Sequence, residues 1–430
     1  MVLGAVFLSV TFRQLTGRGP SVWVLFLIGG LGTVATQVLS VAAAETVIAI
    51  QLPVFVFLFS LFLFAHALED SGALDHLARW ILGRARNPRD LPLVVFIGFG
   101  LLSGFLVNDA LVLIGVPLLF VLARRLGTDA RPLFLTLAFA VSVGSVLTPL
   151  GNPQNLLVSL SSGIRSPIAL FLRYLALPTA ANLLVGGVYV RWKYGRGVPS
   201  GAAPVESTSR ASRIPLLPAT AWGRRLWRFP VLWIFPVTLL VLLTTDITSE
   251  IVGGPGVPLY AVTFAGALML LASSPHKVSL LQRVDWSILL LFAGLFIVVA
   301  GAQQGGVLTV LQSAFPIPPP GSRAGTLGAV LLTSLGGPQL VSNVPWVALQ
   351  IPLLQGLGYS AATPVAWVAL AAGSTLAGNV TLLGAASNLI VVERAERLGV
   401  RLGLREFVRD GLPLAAITVG ILYLCLLLGL

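Results

Sequence analysis

Thr148-Pro-Leu-Gly-Asn-Pro-Gln-Asn-Leu-Leu-Val158 decides how the chain is read, because it returns as Thr381-Leu-Leu-Gly-Ala-Ala-Ser-Asn-Leu-Ile-Val391. Six of the eleven positions are identical, at an offset of 233 residues. Ser71-Gly72-Ala73-Leu74 matches Gly305-Gly306-Val307-Leu308 at 234, and Asn108 and Pro117 match Asn343 and Pro352 at 235. Three separate matches at nearly one offset mark an internal duplication. The first repeat is expected over 1–190 and the second over 230–430, joined by 191–229.

The solvent of these repeats is lipid. The sequence is 56% hydrophobic and 10% charged, with a mean hydropathy of +0.95, whereas a soluble domain carries about 25% charged residues. Apolar runs near the length of a bilayer crossing recur throughout. Spans are expected near 22–41, 52–69, 132–160 with a break, 168–190, 230–248, 257–273, 284–301, 361–392 with a break, and 411–429. Residues 1–12 are apolar but too short to cross alone at ~1.5 Å per residue. The run 22–41 follows Arg13 and Arg18 and ends in small residues, as a signal peptide does; its length and the spans that follow favour a retained helix.

Two segments fit neither one crossing nor two. Residues 91–123 would make a helix of ~50 Å against a ~30 Å core, yet two full spans need about 40 residues plus a turn. The solution is a re-entrant hairpin with its tip at Val107-Asn108-Asp109. Residues 325–359 behave likewise, with the tip at Ser342-Asn343-Val344-Pro345. The fold class is therefore an all-α polytopic membrane protein of two inverted repeats, each with a re-entrant hairpin and a broken transmembrane helix.

Charge sets the orientation. The net charge of +12 comes mostly from Arg in short loops, which reads as topology rather than as nucleic-acid binding. With the basic 191–229 segment in the cytoplasm, Arg13, Arg18, Arg79 to Arg89, Arg124 to Arg131, Lys277, Arg283 and the run Arg394 to Arg409 all fall inside. The first hairpin then opens inward and the second outward. No Asp, Glu, Lys or Arg occurs between Ala324 and Val392. Inverted repeats of this kind are typical of secondary transporters, whose sites lie near the midplane where the repeats meet.

Irregular backbone at membrane depth survives only where protein or water satisfies it. Pro149, Gly151 and Pro153 stop one helix, and Gly378 to Gly384 loosen its partner. Each break offers N–H groups on one side and carbonyls on the other, suited to an anion and to Na⁺ respectively. Asn108, Thr148, Gly151, Asn152 and Asn155 are the expected lining from the first half. Ser342, Asn343, Asn379, Thr381, Gly384, Ser387 and Asn388 are expected from the second. A coupling Na⁺ is expected near Asn108 and Asn152, and near Asn343 and Asn388. Asp109 stands where the second half has Val344; an intramembrane carboxylate is expensive and points to a coupling cation or a proton. His66 with Glu69 suits a proton relay or a solvated span end. Residues 75–86 suit an interfacial amphipathic helix.

Leu106-Val-Asn-Asp-Ala-Leu-Val-Leu, Leu147-Thr-Pro-Leu-Gly-Asn-Pro-Gln-Asn-Leu-Leu, Val341-Ser-Asn-Val-Pro and Gly378-Asn-Val-Thr-Leu-Leu-Gly-Ala-Ala-Ser-Asn-Leu-Ile resemble the ion transporter superfamily, especially its arsenite-permease and citrate-transporter-like branch. The resemblance covers nearly all of the chain outside 191–229. It implies a scaffold and a moving subdomain in each protomer, a homodimer, and alternating access. Relatives that carry dicarboxylates have Ser-Asn-Thr at both breaks and tips, where this chain has Gly151-Asn152-Pro153-Gln154-Asn155 and Ser387-Asn388-Leu389.

The expected activity is secondary transport of a small anion or oxyanion across the inner (plasma) membrane, coupled to Na⁺ or H⁺; a sodium–proton antiporter of the same superfamily is the alternative. No P-loop, H-E-x-x-H or G-x-S-x-G is present, so neither an enzyme nor a resident cofactor is indicated. ATP-driven transport would need a separate ATPase subunit. The single Cys425 excludes a disulfide framework.

Overall fold

The computed structural model describes residues 2–16, 19–85, 87–195, 228–254 and 256–430. Most of the expected linker, residues 196–227, lies outside the described residues. The described chain is helical, and the element order runs twice. The first pass is α1 (Val2–Thr16), α2 (Val22–Ala35), α3 (Val41–Ile50), α4 (Leu52–Asp70), α5 (Ala73–Leu82), α6 (Leu91–Ser103), α7 (Asn108–Leu126), α8 (Arg131–Gly144), α9 (Pro153–Ser161) and α10 (Pro167–Tyr194). The second is α11 (Val231–Val252), α12 (Leu259–Ser273), α13 (Lys277–Gln282), α14 (Trp286–Gln304), α15 (Val307–Ala314), α16 (Arg323–Gly336), the single turn α17 (Pro338–Val341), α18 (Asn343–Gly356), α19 (Pro364–Leu376), α20 (Ala386–Arg397) and α21 (Leu404–Leu428).

Residue chemistry sets these boundaries. Gly72 and Gly306 end α4 and α14 with φ of 68° and 71°, a left-handed turn that glycine makes without a Cβ clash. A short amphipathic helix follows each; α5 buries Leu74, Ala78, Ile81 and Leu82 on one face. Among the described residues, six helices are long and apolar enough to cross a membrane: Leu52–Asp70, Pro167–Tyr194, Val231–Val252, Trp286–Gln304, Arg323–Val341 and Leu404–Leu428. The hairpin arm α6 has 13 residues, which at ~1.5 Å each stops near two thirds of a ~30 Å core; α16 has 14 and is prolonged by α17 to the bend at Ser342.

Some boundaries differ from those expected. The first hairpin turns at residues 104–107, and Asn108 opens α7 rather than sitting in the bend. The second turns at Ser342, and Pro345 falls in the first turn of α18, where its missing N–H costs nothing. Residues 191–194 belong to α10, not to a linker. Helix α20 runs past the expected end at 392 and carries Glu393, Arg394 and Arg397. Residues 2–16 form a full helix, ~22 Å long.

Packing follows the duplication. Helix α2 lies along α14 as α12 lies along α4; α6 packs on α8 as α16 packs on α19; α7 meets α20 as α18 meets α9. The centre is formed by the broken helices, with residues 133–144 of α8 and 366–376 of α19 buried without exception. The first hairpin sits hard against its broken helix: a Cβ on Gly144 would lie 1.8 Å from the Gly100 carbonyl oxygen. In the second half Ala377 stands opposite Gly144, and one turn earlier α19 meets α16 through side chains, with a Cβ on Gly373 at 2.9 Å from Leu331 Cδ2 and 3.0 Å from Ser334 Cβ.

Outside the hairpins and the short helices, each half has five principal segments in the same order, α1, α2, α4, α8 with α9, and α10 in the first and α11, α12, α14, α19 with α20, and α21 in the second. An odd number reverses the second half relative to the first, so the repeats are inverted. Contacts between distant segments agree with this parity. Arg283 pairs with Asp70, Arg191 with Asp90 at 2.6 Å and Lys193 with the buried Asp410 at 2.8 Å, all on one face. On the opposite face Ala169 N donates to Asp246 Oδ2 at 2.7 Å and Gln355 Nε2 to Ser161 O at 2.9 Å.

Candidate functional site at the paired helix breaks

The two breaks are built from the same bonds. After a 3₁₀ turn, Ser145–Leu147, Thr148 is extended at φ −140°, ψ 164°. After the 3₁₀ turn Ala377–Asn379, Thr381 is extended at φ −138°, ψ 163°. Each threonine hydroxyl accepts a hydrogen bond two residues on, Thr148 from Leu150 N at 3.1 Å and Thr381 from Leu383 N at 3.2 Å. Asn155 Nδ2 donates to Ser145 O at 2.9 Å and Thr148 O at 3.1 Å. Asn388 Nδ2 donates to Gly378 O at 2.6 Å and Thr381 O at 3.3 Å. One asparagine thus satisfies two carbonyls released by each break, as a buried break requires.

Gly151 and Gly384 complete the motif. A Cβ on Gly151 would come within 2.5 Å of Ser145 O, and one on Gly384 within 2.5 Å of Ala377 O. Real Cβ atoms do not approach backbone so closely, so both positions require glycine.

The first hairpin docks on this frame. Asn108 N donates to Gly151 O at 3.3 Å, Ser103 Oγ to Asn108 Oδ1 at 3.0 Å, and Asn108 Nδ2 to Ser145 Oγ at 3.3 Å. Thr148 Oγ1 donates to Gly104 O. Asn152 caps α9 by accepting from Asn155 N at 2.8 Å, and its Nδ2 donates to Ser145 Oγ at 3.1 Å. Asn108, Thr148, Gly151, Asn152 and Asn155 are therefore one cluster. It is closed from the other half by Thr375, whose single hydroxyl hydrogen is shared between Asn155 Oδ1 at 3.0 Å and Ala371 O at 2.8 Å and whose oxygen accepts from Asn152 Nδ2 and Gln154 Nε2 at 3.2 Å each.

The second hairpin docks differently. Asn343 Oδ1 accepts from its neighbour Val344 N at 3.0 Å and from Ser342 Oγ at 3.4 Å, not from the break. The link is made instead by Gln339, whose Nε2 donates to Ala377 O at 2.9 Å while its Oε1 accepts from Thr381 Oγ1 at 2.6 Å. Ser342 has φ 69° and ψ 163°, a region that only glycine enters without strain. Asn379, Asn388 and Ser387 are buried. Asn379 Oδ1, Asn379 Nδ2 and Asn388 Oδ1 have no hydrogen-bond partner.

Asp109 follows Asn108 on α7, so its side chain points ~100° away from the cluster. The carboxylate of Asp285, at the start of α14, lies within electrostatic range of it. His66 Nδ1 stands 3.5 Å from Glu69 Oε2 at the end of α4. Among the described residues no three His, Cys, Asp or Glu gather as metal ligands. The side-chain nitrogens of Asn108 and Asn152 both converge on Ser145 Oγ. Free acceptor oxygen is found instead in the second half, at Asn379 and Asn388.

Ser103, Ser145, Gln339 and Thr375 join the site without having been read from the sequence. The repeat held a signal for one of them: extending the alignment backwards puts Thr375 opposite Ser142 at the same offset of 233.

Comparison with known proteins places this arrangement. In structure, the chain resembles the Alcanivorax borkumensis YdaH transporter, a protein of unusual topology, with a TM-score of 0.55 over 91% of this chain and 89% of that one at 15% identity. In sequence, it is 26% identical to a silicon efflux transporter of Oryza sativa subsp. japonica, over 91% of this chain and 88% of that protein. The inner membrane protein YbiR of Escherichia coli (strain K12) is 30% identical over 66% of this chain and 67% of its own length. A 46 kDa membrane protein of Mycobacterium leprae is 26% identical, with 85% and 83% covered. The family model described as citrate transporter matches residues 14–373, and a duplicated, twice-broken helical frame that matches over this length is a membrane transporter belonging to the citrate transporter family.

Proposed function

We propose that the protein carries a small oxyacid or oxyanion, arsenite-like or a lightly charged carboxylate, across the inner membrane by alternating access of its two halves. Transport is coupled to Na⁺ or H⁺, and the 191–229 segment faces the cytoplasm. The observation that carries this reading is the pair of helix breaks lined by uncharged Asn, Ser and Thr groups. These side chains supply both donors and acceptors, which suits an oxygen-rich solute. The absence of Lys and Arg from 324–392 disfavours a citrate-like trianion, whose charge would go unbalanced in low dielectric. The family resemblance supports a homodimer.

The test is a panel of arsenite, silicate, phosphate, succinate and citrate in proteoliposomes, with and without Na⁺ and pH gradients. Gradient-dependent uptake of a small oxyacid is expected. The second reading, sodium–proton antiport, is favoured by Asp109 beside Asp285; Na⁺-driven proton flux with no anion movement would establish it. Under either reading Asp109→Asn should change the ion coupling, and a variant that transports with unchanged coupling removes Asp109 from the mechanism.

A further inference from the structure

We infer that the two breaks have divided their roles: the first is closed upon itself by Thr375, and the ligand is held by the second, through Asn379 and the side-chain oxygen of Asn388. The inference rests on the transport reading above and sharpens where its site lies.

Equivalent atoms of the two breaks differ in their partners. Asn155 Oδ1 accepts from Thr375 at 3.0 Å, while its counterpart Asn388 Oδ1 has no partner. Thr375 also bonds Ala371 O of its own helix at 2.8 Å, and its counterpart Ser142 makes the equivalent bond to Ala138 O at 3.1 Å. The Ser142 hydroxyl stands beside the second break, 3.2 Å from where a Cβ on Gly378 would lie, yet it leaves Asn388 open.

Asn379 is more telling. Its side chain is fully buried, and both of its polar atoms are unpartnered. Burying such an amide unsatisfied destabilises a fold. The amide is not needed to form the break, because the first half has the buried Val146 at the matching position. A buried group that costs stability and has an apolar twin in the same molecule is explained by a ligand that completes its hydrogen bonds. Two acceptor oxygens and one amide N–H₂, with no formal charge along 324–392, fit an oxyacid that keeps its hydroxyl hydrogens. The hydroxyls would donate to Oδ1 of Asn379 and Asn388, and a ligand oxygen would accept from Asn379 Nδ2.

The experiment uses the full chain, purified for thermal unfolding and reconstituted for flux of arsenous and orthosilicic acid. Asn379→Val, which copies the first half, should leave the ligand-free midpoint unchanged or raise it by about 2 °C while flux falls about tenfold or more. Thr375→Val should lower the midpoint, because it leaves Gln154 Nε2 and Asn155 Oδ1 without their partner, yet leave KM within about twofold; Thr375→Ser should restore the midpoint. Wild-type flux with Asn379→Val, or a midpoint that Asn379→Val lowers by several degrees, overturns the inference. So does a tenfold KM change in Thr375→Val. If wild-type protein moves neither probe, the transport reading for these solutes fails, and the midpoint of Asn379→Val still decides whether its amide lacks a structural partner.

Discussion

The first and second helix breaks share a backbone and differ in what completes it. Around Asn155 nearly every polar atom has a protein partner, including one from the opposite half. Around Asn388 the carbonyls are satisfied, but amide groups at 379 and 388 are left over. Duplication therefore conserved the bonds that let a helix stop inside a membrane and released the rest to change. Stability and ligand recognition can be separated in such a pair, because one copy shows what the motif needs merely to fold.

Substitutions can break or sharpen this contrast. The largest effect is expected for Asn155→Leu, which removes the amide that bonds the Ser145 and Thr148 carbonyls. Thermal unfolding in detergent should show a loss of about 3 kcal/mol, and a loss under 1 kcal/mol would mean that the cluster is not structural. Next come Gly151→Ala and Gly384→Ala. Each puts a Cβ against a carbonyl oxygen, so each should lose about 2 kcal/mol. Similar losses in the two variants would confirm that the backbone frame is common, whereas tolerance in one half alone would show that the frames have diverged. The smallest effect is expected for Asn152→Ala, at about 1 kcal/mol for a lost helix cap. The second half already has Ala385 there, so Ala385→Asn should stabilise α20 by a few tenths of a kcal/mol. An unfolding midpoint that moves downward in Ala385→Asn would show that the two N-termini are not equivalent.

The parts legible in the sequence were those that depend on spacing. A hairpin too long for one crossing and too short for two follows from 91–123 and 325–359 before any contact is known. The breaks follow from Pro149, Gly151 and Pro153, and their recurrence revealed the pairing of Asn155 with Asn388. What stayed hidden depends on orientation. Asn343 matches Asn108 in register, yet a bond to its own neighbour Val344 holds it away from the break. Gln339, which makes that connection, has nothing in its surroundings to mark it. Thr375 sits in an apolar helix and reaches a motif more than 200 residues away, a contact that only the packing of α19 on α9 brings about. Asp109, conspicuous by its charge, lies outside the asparagine cluster because one helical step turns it aside.

The contact of Gly144 with Gly100 bears on time as well as shape. Backbone pressed on backbone leaves the first hairpin no slack, whereas the second rests on the side chains of Leu331 and Ser334, which can change rotamer. We predict that amides at 339–344 exchange with deuterium sooner than those at 104–110, and faster exchange at 104–110 would refute this. The second hairpin would then be the looser of the two, and the first would ride with its partner helix.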